Sequence, residues 1–159
     1  MSEPPAITRT NPISLLHRIM TMPGYPQASG MRVVDAAPGR VTLAMARRPD
    51  LMQFAGHFHG GVITGLADQA AGAAVTTMLP EGRIGVTVEI KVNFLSPADG
   101  EEIIARAEAM QSGGTIGVAK IEVITQKKGV ERLCAFGIAT MRAVDLPAAA
   151  PTPSADDTR

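Results

Sequence analysis

The sequence is poor in the residues that mark several protein classes. It has no tryptophan, one tyrosine and four phenylalanines in 159 residues, too few aromatic faces to stack successive nucleic-acid bases. Its one cysteine, Cys134, admits no internal disulfide, which fits a reducing compartment. Lys plus Arg and Asp plus Glu both number 15. No excess of either sign therefore draws the chain to nucleic acid or an anionic membrane, and an anionic ligand would need a local patch. No apolar run is long enough to span a bilayer, and the polar, proline-containing first ten residues carry no signal-peptide core. What is there, a 45% hydrophobic chain of this length, predicts one cytoplasmic domain whose partner is a small molecule or a second copy of itself.

Hydrophobic period gives the organisation. Asn11-Pro12 ahead of Ile13, Leu15, Leu16, Ile19 and Met20 predicts a capped short helix ended by Pro23-Gly24. Met31 to Ala36 and Val41 to Arg47, separated by Ala37-Pro38-Gly39, predict a hairpin. Gly60 to Leu79 lacks alternation, is rich in alanine and stops at Pro80-Glu81-Gly82, which predicts a helix of about 30 Å. Alternation then takes over. Val86, Val88, Ile90, Val92 and Phe94 interleave with Thr87, Glu89, Lys91, Asn93 and Leu95, and further strands are expected at Glu102–Met110, Thr115–Thr125 and Glu131–Arg142. The order ββαββββ, read with hairpin connections, makes an α+β fold in which one long helix buries itself against an antiparallel sheet. The expected divisions are an N-terminal segment with a short helix (1–28), the main domain (29–143) and a disordered tail (144–159).

The long helix is the informative stretch. At 100° per residue Val62, Leu66, Ala70, Ala73 and Thr77 form one stripe toward the sheet, while Gly61, Thr64, Gly65, Ala71, Gly72 and Val75 surround Asp68 on the other side. Asp68 is the one Asp, Glu, Lys or Arg between Leu51 and Pro80. An unpartnered carboxylate out of water costs several kcal/mol unless it is neutralised or used, so its isolation marks it as a candidate catalytic group. Glycines on its own face, each costing about 1 kcal/mol of helix propensity, imply close approach by a ligand or another backbone. At the start of the helix His59-Gly60-Gly61 supplies amides without intrahelical acceptors, at the end where the dipole favours negative charge. Acyl transfer needs such donors at the carbonyl oxygen and a carboxylate to activate water or attack.

His59-Gly60-Gly61-Val62-Ile63-Thr64-Gly65-Leu66-Ala67-Asp68 resembles the HGG-x5-A/V-D signature of the PaaI-like branch of hotdog-fold acyl-CoA thioesterases, and the stretch Gly85 to Ala98 resembles that family's strand and turn after the helix. The likeness runs from about Gly30 to Arg142. It implies a sheet wrapped around a central helix, and a homodimer or homotetramer with active sites at the subunit interface. It further implies Asp68 as base or nucleophile and the Gly60 amide as oxyanion donor, with His59 supporting the turn. Gln53 stands where the family places an Asn or Gln against the thioester or the attacking water, and Thr87 matches a Ser or Thr assisting the carboxylate. Gly61 lies at the same substrate-contacting turn. The reaction would use an acyl-CoA substrate with no metal and no organic cofactor. Arg47, Arg48, Arg83, Lys127 and Lys128 are candidate partners of the CoA phosphates.

Other readings were weighed on the same residues. His57-x-His59 has no third His and no Cys nearby, against the three or four protein ligands of a zinc site. Gly56-His57-Phe58 resembles the Gly-His-Phe of acyl-carrier-protein dehydratases, without that motif's prolines and with a shorter spacing to the acid. A non-catalytic acyl-CoA-binding module of the regulator type would carry a basic DNA-binding segment, which residues 1–28 do not form.

Overall fold

A computed structural model of the chain describes residues 11–146. Helix α1 (Pro12–Thr21) starts as its sequence predicts, with the Asn11 side chain accepting from the Ile13 N–H at 2.9 Å and proline in the first turn. One short helix was not foreseen: α2 (Tyr25–Ser29) follows and ends on Gly30 at φ 75°, a left-handed cap that glycine adopts without strain. The hairpin β1 (Met31–Ala37) and β2 (Arg40–Ala46) leads through a 3-10 turn at Pro49–Leu51 to α3 (Gly60–Thr76). Then come β3 (Arg83–Phe94), β4 (Glu102–Gly113), β5 (Ile116–Lys127) and β6 (Val130–Asp145). The last strand takes in 144 and 145, which were expected in a tail. The remainder of the expected tail, 147–159, lies outside the described residues.

Sheet order is β1-β2-β4-β5-β6-β3 with every neighbour antiparallel. The sequence of elements is the one expected, but the hairpin expected between β3 and β4 does not form. Instead β3 pairs with β6 at the far edge, and residues 95–101 carry the chain back across. That crossover is pinned. Leu95 N–H donates to the Cys134 carbonyl at 2.8 Å, Gly100 N–H to Thr125 Oγ1 at 2.8 Å, and Glu101 N–H to the Gln126 carbonyl at 2.8 Å. A Cβ on Gly100 would collide with the Gln126 carbonyl, so glycine is what lets the strands pass so closely. Asp99 pairs with Lys127 at 3.0 Å and Arg132 at 2.7 Å, and the hydrogen bond from Lys127 holds its carboxyl below the ordinary carboxylate range.

The sheet curls around α3, which touches β2, β3, β4, β5 and β6. Leu66, Ala70, Ala73 and Thr77 of the predicted stripe are buried, but so are Ala71 and Val75, which the helical wheel put on the other side. A curved sheet covers more of a helix than one stripe. The helix also ends at Thr76, three residues before the expected Leu79. There Thr77 Oγ1 donates to the Ala74 carbonyl at 2.7 Å and accepts the Gly39 N–H at 2.8 Å, tying the helix end to the β1–β2 turn. Leu16 and Met20 of α1 join the same core. Cys134 is wholly buried, donates to the Val123 carbonyl at 3.2 Å, and has its thiol pushed up to about 11 by burial. No helix among the described residues is long and apolar enough to cross a membrane.

Strand β3 departs from strict alternation at one place. Its register with β6 shifts between Thr87 and Glu89, so Val88 is the extra residue of a bulge. On the inner face Phe94, Val92 and Ile90 oppose Ala135, Gly137 and Ala139, and after the bulge Thr87 opposes the fully buried Met141. An unbroken period of two would have placed Thr87 outside with Glu89, Lys91 and Asn93. The bulge turns it in toward α3.

Candidate active site

Asp68 sits half-buried on α3, and its Oδ1 accepts from Thr87 Oγ1 at 2.7 Å. The bulge is the reason these two meet. The pair lines a cavity of about 290 Å³ whose other walls come from α1 (Leu16, Ile19), from Gly72 and Ala73 of α3, and from Ile84 to Val86 of β3. The hydroxyl takes one carboxylate lone pair and leaves the rest of the group facing the cavity, the arrangement a base or nucleophile needs.

The glycines beside Asp68 have separate causes. At Gly72 the helix runs against the backbone of β3, where a Cβ would lie 3.7 Å from the Gly85 carbonyl oxygen. That is ordinary van der Waals contact, so close backbone approach does not by itself require glycine at 72. At Gly65 a side chain would collide with the Tyr25 ring, and at Gly61 a Cβ would lie 3.1 Å from the His59 imidazole. Tyr25 is the chain's one tyrosine, and partial burial raises its phenol above the ordinary value.

The amides at the helix tip can be accounted for one by one. Gly61 N–H donates to His59 Nδ1 at 2.9 Å, while Val62 and Ile63 N–H both donate to the His59 carbonyl at 2.9 and 3.1 Å. That leaves the Gly60 N–H with no acceptor among the described residues. His59 is thus the N-cap, accepting through Nδ1, and Gly61 is spent on the cap. Gly60 lines a second hollow, of about 350 Å³, together with Gln53, His57, Phe94, Leu95 and Pro97. A Cβ on Gly60 would lie 3.3 Å from the Phe94 ring.

The structure gathers the candidate residues into two groups. Asp68 and Thr87 face the first cavity, and Gly60 and Gln53 the second. Eight residues of α-helix separate Asp68 from Gly60, about 12 Å of rise, too far to serve a single carbonyl within one chain. Gln53 Oε1 accepts the Ala55 N–H at 3.3 Å, and the Gln53 N–H donates to the His57 carbonyl at 2.8 Å, so its loop is a closed turn.

The arginines proposed for phosphate are engaged elsewhere. Arg47 donates to the carbonyls of Gly56 (2.7 Å), Asp99 and Gly100 (both 3.2 Å), stapling two loops. Arg48 holds Asp50 at 2.7 Å and the Ala28 carbonyl at 3.1 Å, and Arg83 holds the Ala143 carbonyl at 2.8 Å. Lys127 is paired with Asp99, and Lys128 lies in the β5–β6 turn at φ 50°. Sequence reasoning passed over Leu16, Ile19 and Tyr25 as site neighbours. The apolar spacing of α1 announced an amphipathic helix and carried no sign of what it would cover.

A six-stranded antiparallel sheet curled around one long helix defines a hotdog fold. The family profile of the thioesterase superfamily matches residues 55–131. A crystal structure of a thioesterase family protein from Silicibacter pomeroyi superposes with a TM-score of 0.81 at 33% identity, covering 84% of this chain and 98% of that one. A putative esterase of Halobacterium salinarum is 36% identical over 101 residues, 60% of this chain and 66% of that protein. Human acyl-coenzyme A thioesterase 13 is 29% identical over 98 residues, 61% of this chain and 69% of that protein. The chain belongs to the thioesterase superfamily, and it is a thioester hydrolase.

Proposed function

We propose that the chain hydrolyses acyl-CoA thioesters in a site shared by two copies, with Asp68 of one copy acting on a carbonyl whose oxygen rests on the Gly60 amide of the other. The observation that carries this reading is the Asp68–Thr87 pair at 2.7 Å, opening on a cavity rather than on an ion-pair partner. Thr87 fixes the carboxylate's orientation, and the free Oδ2 faces the position of a water or of the carbonyl carbon. At the other end, the unpaired Gly60 N–H adds a donor where charge develops on the thioester oxygen, helped by the positive end of the α3 dipole. His59 supports the turn, and Gln53 contributes a polar side chain to the same hollow.

Two copies are invoked because about 12 Å of helix separates acid from amide while reacting atoms must come within about 3.5 Å. The open edge of β3 supports the same reading. It is a 12-residue strand with Val86, Val88 and Phe94 exposed among polar residues, and a long unpaired edge of this kind is a template for pairing with another chain. The name of the human relative, acyl-coenzyme A thioesterase 13, supports CoA esters as the substrate class.

The test is release of free CoA thiol from a panel of acyl-CoAs, read with a chromogenic disulfide. The protein's own thiol is silent in this assay because Cys134 is buried. Asp68→Asn keeps the shape of the side chain and is expected to lower kcat roughly a thousandfold while the fold is retained. A kcat within about threefold of wild type would overturn the assignment of Asp68.

A further inference from the structure

We propose that helix α1 forms the acyl-chain wall of the active site, and that Ile19, with Leu16 behind it, sets the size of acyl group the enzyme accepts. The inference rests on the catalytic reading of Asp68 and goes beyond it to the substrate's acyl end. The cavity that holds Asp68 has both polar and apolar lining. The thioester belongs beside Asp68, Gln69 and Thr87, and Leu16, Ile19 and Ala73 supply an apolar wall, with Thr76 adding a fourth polar side chain beside Ala73.

Helix α1 packs on β1 and α2, yet Leu16 and Ile19 line the same cavity as β3 residues Ile84 to Thr87. It therefore bridges the opening between the two edges of the curled sheet. On the side of α3 that carries Asp68, the Tyr25 ring of α2 lies over Gly65, where any side chain would collide with it. This seats the N-terminal segment one helical turn from the carboxylate. Leu16 and Ile19 lie outside the span 55–131 that matches the family profile, so the part of the wall built by α1 belongs to the N-terminal segment rather than to the matched core.

The size of the space within one copy bears on the acyl group it can take. About 290 Å³ is at the small end for a small-molecule site, which fits a short-to-medium linear acyl group or one carrying a single ring. Leu16 is 4% exposed and belongs to the core, whereas Ile19 is only partly buried, so Ile19 can be changed in size with less damage to packing.

The experiment compares kcat/KM for octanoyl-CoA with that for butyryl-CoA in wild type, Ile19→Ala, Ile19→Phe and the volume-conserving Ile19→Leu. The proposal expects the octanoyl-to-butyryl ratio to rise in Ile19→Ala, to fall roughly tenfold in Ile19→Phe, and to stay within twofold in Ile19→Leu. A purely structural role would lower both substrates together and leave the ratio unmoved. If the ratio stays within about twofold in both size variants while Asp68-dependent hydrolysis persists, the wall is elsewhere and the proposal fails. Should no acyl-CoA be hydrolysed in an Asp68-dependent way by the wild type, the catalytic reading fails first and takes this one with it.

Discussion

The two hollows along α3 are finished to different degrees. Around Asp68 the chain completes its own work: a bulge in β3 brings Thr87 onto the carboxylate, and α1 supplies a wall. Around Gly60 the surroundings are unfinished. The amide has no acceptor among the described residues, Phe94 and Leu95 at the rim are each 56% exposed, and Phe54 on the neighbouring loop is fully exposed. Apolar groups gathered in the open beside an unpaired donor mark a surface waiting for something to cover it. In the shared-site reading we propose, the first hollow is the acid half and the second the donor half, and each completes the other copy's.

The largest effect that would break this comparison, after loss of the carboxylate itself, is loss of the donor. Gly60→Pro deletes the N–H at the first helical position, where proline is tolerated, and His59 at φ −64°, ψ 140° already has the conformation a residue before proline takes. The Phe94 ring must give by a few tenths of an ångström. We expect kcat to fall roughly 10²- to 10³-fold, measured by CoA release, with the thermal midpoint little changed. An unchanged kcat would remove the Gly60 amide from the mechanism.

Next in size is Thr87→Val, which keeps the shape and removes the hydroxyl donated to Asp68. A hydrogen bond to a charged group is worth about 1.5–3 kcal/mol, so kcat should drop about tenfold or more, with KM nearly constant. A larger change in KM than in kcat would make Thr87 a substrate contact instead of a support for the carboxylate.

The smallest effect separates staple from phosphate site. Arg47→Met removes three hydrogen bonds to backbone carbonyls of two loops. It is expected to cost stability of order 1 kcal/mol, seen in denaturant melts, while leaving KM for acyl-CoA within about twofold. A KM increase without loss of stability would return Arg47 to the list of phosphate partners.

Much of this was legible in the residues. Alternation, alanine content and turn chemistry found α1, the first hairpin, α3 and the four later strands, because each is a local pattern with a local cause. The solitary Asp68 and the His59-Gly60-Gly61 tip also stand out in one dimension. What could not be read was non-local. The crossover 95–101 looks like a hairpin turn in sequence, and only its pinning by Cys134, Thr125 and Gln126 shows why β3 goes to the far edge. The bulge at Val88 leaves no mark in a pattern that alternates cleanly through it, yet it decides that Thr87 faces Asp68. Likewise, the arginines look free in sequence, and the carbonyls of Gly100, Ala28 and Ala143 that Arg47, Arg48 and Arg83 hold lie on distant segments.

The most direct test mixes two disabled variants. Asp68→Asn carries an intact donor half and Gly60→Pro an intact acid half. If the site takes one half from each copy, unfolding and refolding a one-to-one mixture makes hybrids with one fully intact site. Statistical pairing predicts recovery of about a quarter of wild-type activity. Recovery no greater than the sum of the two variants measured alone would contradict a shared site.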